Sequence, residues 1–83
     1  MNIEDRLRKL IVKYVEREEL LDNLSEDSVI KDALIIDSLD MIELIIDIET
    51  EFEIRIADNE VERLNTLSDI KKLINQKTKE GAA

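Results

Sequence analysis

The residues best suited to carry chemistry are Ser38 and the carboxylates beside it, in the run Asp37-Ser38-Leu39-Asp40. If Asp37 is the N-cap of a helix, Ser38 is the first helical residue and Asp40 is the third. Backbone N–H groups and the positive end of the helix dipole point outward there, and they stabilise a surface phosphate by about 0.3–1 kcal/mol. The pattern therefore predicts a serine hydroxyl well placed to bear a phosphodiester, although serine is also common at ordinary helix starts.

The helix that follows Ser38 has one apolar face and one mixed face. At about 100° per residue, one arc holds the residues expected to face the core: Met41, Leu44, Ile45, Ile48 and Phe52. The neighbouring arc mixes isoleucines with acids: Ser38, Ile42, Ile46, Glu49 and Glu53. An apolar centre with a charged rim is a common composition for a protein-binding surface. The alternative is that the acids are an ordinary solvated face and that the two isoleucines are buried.

The composition excludes the commonest routes to catalysis. The chain of 83 residues contains no Cys and no His, so it lacks a thiol nucleophile and the usual general base and metal ligand at neutral pH. Its length fits one domain with a modest core. An Asp-x-Asp-x-Asp-Gly calcium loop is also missing from the sequence. We therefore expect a protein that is not an enzyme and has no dedicated metal site.

The net charge of −9 is concentrated in the middle of the chain. Residues 37–63 hold ten acids and two bases, whereas residues 1–36 carry a net −3 and residues 64–83 a net +2. Such charge repels nucleic acid and anionic membranes and attracts partners with basic patches. The N-terminal residues lack the apolar stretch of a signal peptide, and the longest apolar run, Ala33 to Ile36, is too short to span a bilayer. We expect a cytoplasmic monomer.

Apolar residues recur at helical spacing in three segments, which must position the serine. They cover about residues 3–14, 38–53 and 67–76. Each has residues that can cap its start: Asn2 for the first, Asp37 for the second, and Thr66 with Asp69 for the last.

The segments between these helices carry apolar residues of their own. Residues 17–36 form a long connection, which six side chains are expected to pin to the bundle: Leu20, Leu21, Leu24, Val29, Ile30 and Leu34. Residues 57–64 predict a short helix with Asp58 as cap and with Val61 and Leu64 inward. The fold expected is an all-α four-helix bundle of three longer helices and one short helix, with a long connection between the first two. We expect a single domain over residues 1–83, ordered over about 3–76, with a tail at 77–83.

The sequence resembles a known family around and beyond the serine. The similarity is to the attachment site and recognition helix of acyl carrier proteins, and it is carried by Asp37-Ser38-Leu39-Asp40-Met41-Ile42-Glu43-Leu44, Glu49, Glu51-Phe52 and Ile54 to Ile56. The resemblance extends from Ile3 to Ile74. It implies that a phosphopantetheinyl transferase attaches 4′-phosphopantetheine from coenzyme A to Ser38. The thiol of that group would then hold acyl chains as thioesters for enzymes of fatty-acid or related lipid and polyketide synthesis.

The resemblance implies two further sets of residues. Partner enzymes with basic patches would contact Asp37, Asp40, Ile42, Glu43, Ile46, Glu49, Glu53, Ile56 and Asp58. Acyl chains would fold back between the helices against Ile45, Ile48, Phe52, Ile56 and Leu64.

Two positions depart from the family pattern. Ile35 stands where the family usually has glycine, and Ala57 stands where it usually has proline after Ile56. A β-branched residue resists backbone shapes that glycine permits, so the loop before Ser38 is expected to be affected. These departures suggest a specialised carrier that serves one dedicated pathway. Full replacement of a housekeeping carrier in reconstituted fatty-acid synthesis would contradict that hypothesis.

Two other functions stay open at this point. An aminoacyl or peptidyl carrier would use the same serine for a different load, although the acidic residues around Ser38 favour acyl groups. An unmodified acidic bundle could instead dock on a basic protein. Replacement of Ser38 by alanine separates carriage from docking, because it removes the attachment oxygen and leaves the Asp37 cap in place.

Overall fold

The computed structural model describes residues 2–82, with side chains described to residue 78, and its regular structure is helical. Two 3₁₀ helices, Val12–Tyr14 and Glu18–Asn23, lie in the first half of the chain. Within residues 2–82 no β-strand forms, and an isolated bridge pairs Val29 with Thr66. The α-helices are α1 (Ile3–Ile11), α2 (Ile30–Leu34), α3 (Ser38–Phe52), α4 (Asp58–Val61) and α5 (Leu67–Ala82).

The prediction of an all-α bundle is confirmed. The three longer helices are α1, α3 and α5, and the connection between α1 and α3 is long, as expected. The predicted short helix between α3 and α5 is α4. Within residues 2–82, no helix has both the length and the apolar character that crossing a membrane requires.

The three long helices start at the caps that the sequence predicts. The Asn2 side chain accepts a hydrogen bond from the Asp5 N–H at 2.8 Å. At α5 the bonds are reciprocal, because Thr66 Oγ1 accepts from the Asp69 N–H at 3.1 Å and the Asp69 carboxylate accepts from the Thr66 N–H at 3.0 Å. The backbone N–H groups of Thr66 and Asn65 hold the pKa of Asp69 below its ordinary value.

A single apolar core holds the helices together. Leu7 and Ile11 of α1 are fully buried, and they belong to the same cluster as the inward residues of α3 and α5: Leu44, Ile45, Ile48, Phe52, Leu67, Ile70 and Ile74. Burying one such side chain contributes about 1.5–3 kcal/mol, so these residues supply most of the favourable free energy of folding. Met41 is only partly buried at the edge of this cluster.

The long connection packs on the core as predicted, except at Val29. Leu24, Ile30 and Leu34 are buried, and Leu20 and Leu21 are partly buried against the cluster. The prediction for Val29 was wrong, since its side chain is 41% exposed. Val29 precedes α2 in an extended conformation, and its carbonyl accepts the Ala33 N–H at 2.8 Å, so the residue is held through its backbone.

The structure differs from the sequence-based boundaries in three places. The helix α2 was predicted only as part of a connection, because five residues are too few to show a helical period. The helix α5 continues to Ala82, beyond the predicted end at Gln76, because no helix breaker follows until Gly81. At α4 the N-cap is Ala57 rather than Asp58, and the Glu60 carboxylate accepts the Ala57 N–H at 2.9 Å.

Candidate functional site

Ser38 lies exposed at the first position of α3. Asp37 precedes it as the N-cap, with extended backbone at φ −81° and ψ 176°, and its carboxylate accepts the Asp40 N–H at 2.8 Å. This is the geometry that the run Asp37-Ser38-Leu39-Asp40 predicts. The serine hydroxyl is therefore accessible to another protein at the positive end of a four-turn helix, where added negative charge is favoured.

A lysine from the preceding helix reaches the serine hydroxyl. Lys31 of α2 donates a hydrogen bond from Nζ to Ser38 Oγ at 3.0 Å. The sequence analysis missed Lys31 because the contact joins two helices, one of which has no periodic signal. The only feature of the sequence that hinted at this contact was the positive charge of Lys31, seven residues before Ser38.

The backbone between α2 and α3 turns at Ile35. This residue has φ 54° and ψ 53°, which is the left-handed region that glycine favours. The Lys31 carbonyl accepts the N–H groups of both Ile35 and Ile36, the latter at 3.0 Å, as in a Schellman-type helix end. Ile36 is buried whereas Ile35 is 75% exposed. Ile35 thus adopts a left-handed backbone conformation that glycine would adopt without steric cost.

The face of α3 beside Ser38 is apolar and open. Leu39, Ile42 and Ile46 are 64%, 54% and 53% exposed, which decides between the two sequence-based readings of the isoleucines in favour of an exposed surface. Leu39 was not among the predicted surface residues, although at about 100° per residue it lies on the same side of the helix as Ile42 and Ile46. These three exposed residues are hereafter called the apolar strip.

Acidic side chains border the apolar strip. Asp37, Glu43, Glu53 and Asp58 are exposed, and none of them forms an ion pair within residues 2–78. They therefore remain available to a basic partner. Asp40 is half-buried beside the same face.

Two of the predicted partner-binding residues are partly or wholly inside the fold. The Glu49 carboxylate accepts the Ile56 N–H at 2.9 Å, so it fastens the loop after α3. Ile56 is only 8% exposed and belongs to the core cluster. Glu49 and Ile56 therefore hold the loop after α3 against the bundle.

Other acids of α3 are paired within the bundle. Asp47 accepts a hydrogen bond from the Tyr14 hydroxyl and forms an ion pair with Lys13 at 3.2 Å. Arg6 binds the Glu51 carboxylate at 2.9 Å and lies 4.4 Å from the Phe52 ring centroid. Asp47 and Glu51 of α3 therefore bind α1 and its extension, Glu49 binds the loop after α3, and Glu43 faces solvent.

An apolar groove opens between α3 and the segment that contains α4. Its volume is about 420 Å³, and it is lined by Ile42, Ile45, Ile46, Glu49, Ile56, Asp58 and Val61. Of the predicted acyl-contacting residues, Ile45 and Ile56 line this groove, whereas Ile48, Phe52 and Leu64 lie buried in the core. Val61 was missed as a lining residue because it was expected to face inward only.

No cluster within residues 2–78 offers three or more His, Cys, Asp or Glu side chains in a position to hold a metal ion. The site therefore consists of a serine hydroxyl, a neighbouring ammonium group, a helix N-terminus and an apolar strip bordered by acids. These groups fit a phosphate attached to the serine, since the hydroxyl is exposed and two positive partners face it.

Comparison with known proteins agrees with this geometry. The family profile described as "Phosphopantetheine attachment site" matches residues 5–74, which is most of the chain. The site thus defines a carrier that bears 4′-phosphopantetheine.

Individual relatives narrow the class further. An acyl carrier protein of Buchnera aphidicola subsp. Schizaphis graminum is 41% identical over 80 residues, which cover 94% of this chain and 96% of the relative. A crystal structure of an acyl carrier protein from Thermotoga maritima superimposes with a TM-score of 0.65 at 31% identity, covering 95% of this chain and 98% of the other. The chain belongs to the acyl carrier proteins. Members of this family are carriers and not enzymes.

Proposed function

We propose that Ser38 is the residue that bears the 4′-phosphopantetheine. The observation that carries this proposal is the position of the Ser38 hydroxyl, exposed at the first residue of α3 and hydrogen-bonded to a lysine. In the attachment reaction, Ser38 Oγ forms a phosphodiester bond as the pyrophosphate bond of coenzyme A breaks. Adenosine 3′,5′-bisphosphate leaves, and the serine proton passes to a base on the transferase. The terminal thiol of the attached group supplies the thioester chemistry.

The apolar strip and its acidic border form the proposed surface for partner enzymes. The exposed carboxylates of Asp37, Glu43 and Asp58 attract Arg and Lys side chains and speed the encounter, while Ile42 and Ile46 supply apolar contact area. Asp40 and Glu53 extend the acidic border, and Glu49 and Ile56 hold the neighbouring loop in place. The partners expected are a phosphopantetheinyl transferase and acyl-processing enzymes with basic patches.

The groove beside the apolar strip is the proposed entrance for an acyl chain. It is open to solvent at Ile42 and Ile46, and its inner wall is formed by Ile45 and Ile56. Beyond that wall lie Ile48, Phe52 and Leu64, which an acyl chain would contact only if the α3–α4 side of the bundle opened. The acyl group itself, a dedicated pathway, a cytoplasmic location and the monomeric state remain predictions from the sequence.

Intact mass tests the attachment residue directly. The purified chain is incubated with coenzyme A, Mg²⁺ and a broad-specificity phosphopantetheinyl transferase, and we expect the mass to rise by one phosphopantetheine. Ser38→Ala should show no gain, whereas Ser28→Ala, a control at another serine of the connection, should be loaded like the wild type. Loading of Ser38→Ala would show that another residue bears the group. No loading of the wild type by either of two transferases would favour the unmodified docking bundle.

A further inference from the structure

Lys31 is held close to Ser38 by its own helix. The neighbouring residues Ile30 and Leu34 are fully buried, and the Ile30 N–H donates to the Asn65 carbonyl at 2.9 Å. The Lys31 carbonyl closes the helix end at Ile36, which is itself buried. The backbone of Lys31 is therefore fixed relative to the start of α3, and its side chain extends from there to the Ser38 hydroxyl.

Lys31 has acidic residues near it in the sequence, yet its ammonium group hydrogen-bonds a neutral hydroxyl. The segment 37–63 carries a net charge of −8, and Asp32 and Asp37 are close in the sequence. The Lys31 ammonium nevertheless takes part in no ion pair within residues 2–78, and its hydrogen bond there goes to the neutral Ser38 hydroxyl. An ammonium group that faces a hydroxyl has a donor capacity that an anion on that hydroxyl would satisfy better.

We propose that Lys31 binds the phosphodiester that joins 4′-phosphopantetheine to Ser38, and so ties the base of the arm to α2. This inference rests on Ser38 as the attachment residue. The non-bridging oxygens of a phosphate on Oγ lie next to the atom that Lys31 already contacts at 3.0 Å. The lysine also offsets the repulsion between the phosphate and the carboxylates of Asp37 and Asp40. The rest of the arm stays free to deliver its load.

Two measurements on loaded protein test the contact without any assay of activity. Lysine residues are labelled with ¹³C at Cε, and the resonances of Lys31 are compared before and after loading. We expect the Lys31 Cε resonance to move on loading, while that of Lys72, an exposed lysine of α5, stays in place. In the second measurement, the ³¹P resonance of the loaded protein should shift in Lys31→Met, return toward the wild-type position in Lys31→Arg, and stay unchanged in Lys72→Met.

Thermal stability gives an independent readout. In the loaded state, the thermal midpoint of Lys31→Met should lie roughly 1–6 °C below that of the wild type, because the phosphate then lacks its positively charged partner. The difference should shrink at high salt, since screening weakens both attraction and repulsion at the surface. Lys31 is exposed, so the unloaded variant should fold like the wild type.

The two proposals fail in different ways. If intact mass shows a loaded wild type, but the Lys31 Cε resonance does not move and the ³¹P resonance is the same in Lys31→Met, the role of Lys31 is overturned and Ser38 stands. If the wild type is not loaded at Ser38, the attachment proposal fails and the role of Lys31 falls with it. The labelled wild type suffices for this decision even if Lys31→Met proves to be a poor substrate for the transferase.

Discussion

At the scale of the single residue, Ile35 holds a backbone conformation that its side chain disfavours. A left-handed conformation costs an L-residue about 1–2 kcal/mol, and branching at Cβ adds crowding. This strain is offset because the turn places Ile36 in the core and Asp37 at the N-cap of α3. Glu53 ends α3 in the same way, with φ 54° and with the Ile54 N–H bonded to the Glu49 carbonyl at 3.0 Å.

Replacing Ile35 by glycine should therefore stabilise the fold. We expect Ile35→Gly to raise the free energy of unfolding by up to about 1 kcal/mol. Relief of about 1–2 kcal/mol of left-handed strain exceeds the roughly 0.4–1 kcal/mol of entropy that glycine adds to the unfolded chain, and the exposed isoleucine side chain contributes little packing. Urea denaturation followed by circular dichroism measures this change through the midpoint. Glu53→Gly is the matched variant and should act in the same direction, whereas Asp32→Gly, inside α2, should destabilise. Destabilisation by Ile35→Gly would mean that its side chain packs more than its exposure indicates.

The difference between Ser38 and Lys31 shows which residues of the site can be predicted from the sequence. The cap at Asp37 and the position of Ser38 depend on four consecutive residues, so their geometry follows from local rules. The contact of Lys31 depends on the angle between α2 and α3, which is set by the turn at Ile35. The residues of this chain do not mark that turn by themselves, because no glycine stands at the helix end, and only the family pattern indicates position 35.

At the scale of the helices, the hydroxyl of Tyr14 joins the 3₁₀ extension of α1 to the middle of α3. Its hydrogen bond to Asp47 raises the pKa of Tyr14 to about 12, with burial and the nearby charges of Asp47, Glu43 and Asp40 adding to the effect. The same bond holds the pKa of Asp47 below its ordinary value, with help from Lys13. The pair thus adds a second polar connection between α1 with its extension and α3, beside the ion pair of Arg6 with Glu51.

Tyr14→Phe should remove this connection while keeping the ring. We expect the free energy of unfolding at neutral pH to fall by about 1 kcal/mol, the usual worth of one hydrogen bond to a partly exposed charge. Because the pKa of Tyr14 is raised in the folded state, its contribution to stability is present below pH 10 and is lost between pH 10 and about 12. Because the pKa of Asp47 is lowered, its contribution is lost on acidification.

The free energies of unfolding of the wild type and Tyr14→Phe are measured by urea denaturation from acid pH to about pH 12. Their difference isolates the contribution of the Tyr14–Asp47 pair from that of other titrating groups such as Lys71. The difference should be constant near neutrality and should shrink toward both ends. A difference that does not change with pH would show that Tyr14 acts through packing alone. Lys13→Met is a useful comparison, because it weakens the Asp47 ion pair without touching the Tyr14 bond.

The helices also show how much of the fold the pattern of residues determines. The three long helices and their caps could be predicted because amphipathic spacing and capping residues are strong over two turns or more. The short helix α2 could not, since only tertiary burial of Ile30 and Leu34 stabilises its five residues. The end of α5 was misplaced because the prediction followed the apolar period, which stops before the polar last turns.

At the scale of the whole molecule, few of the acids within residues 2–78 form ion pairs and many face solvent without one. Lys71 binds both Glu4 and Glu26, which raises its pKa and joins three parts of the chain. The exposed acids around Ser38 have no such counter-ion. These exposed acids therefore repel one another in the unbound protein, and a basic partner at the proposed surface would relieve that repulsion.

This repulsion should make the unbound protein more stable at high ionic strength. We expect the thermal midpoint to rise between 10 mM and 500 mM NaCl, because the distance beyond which salt screens repulsion among exposed acids falls from about 30 Å to well below about 10 Å. Glu43→Gln should raise the midpoint at low salt and reduce its salt dependence, since this acid has no ion pair to lose. Glu51→Gln, on the same helix, should instead lower the midpoint because it breaks the ion pair with Arg6. A midpoint that falls with salt in the wild type would show that the ion pairs, and not the repulsion among the exposed acids, dominate the electrostatic free energy of the fold.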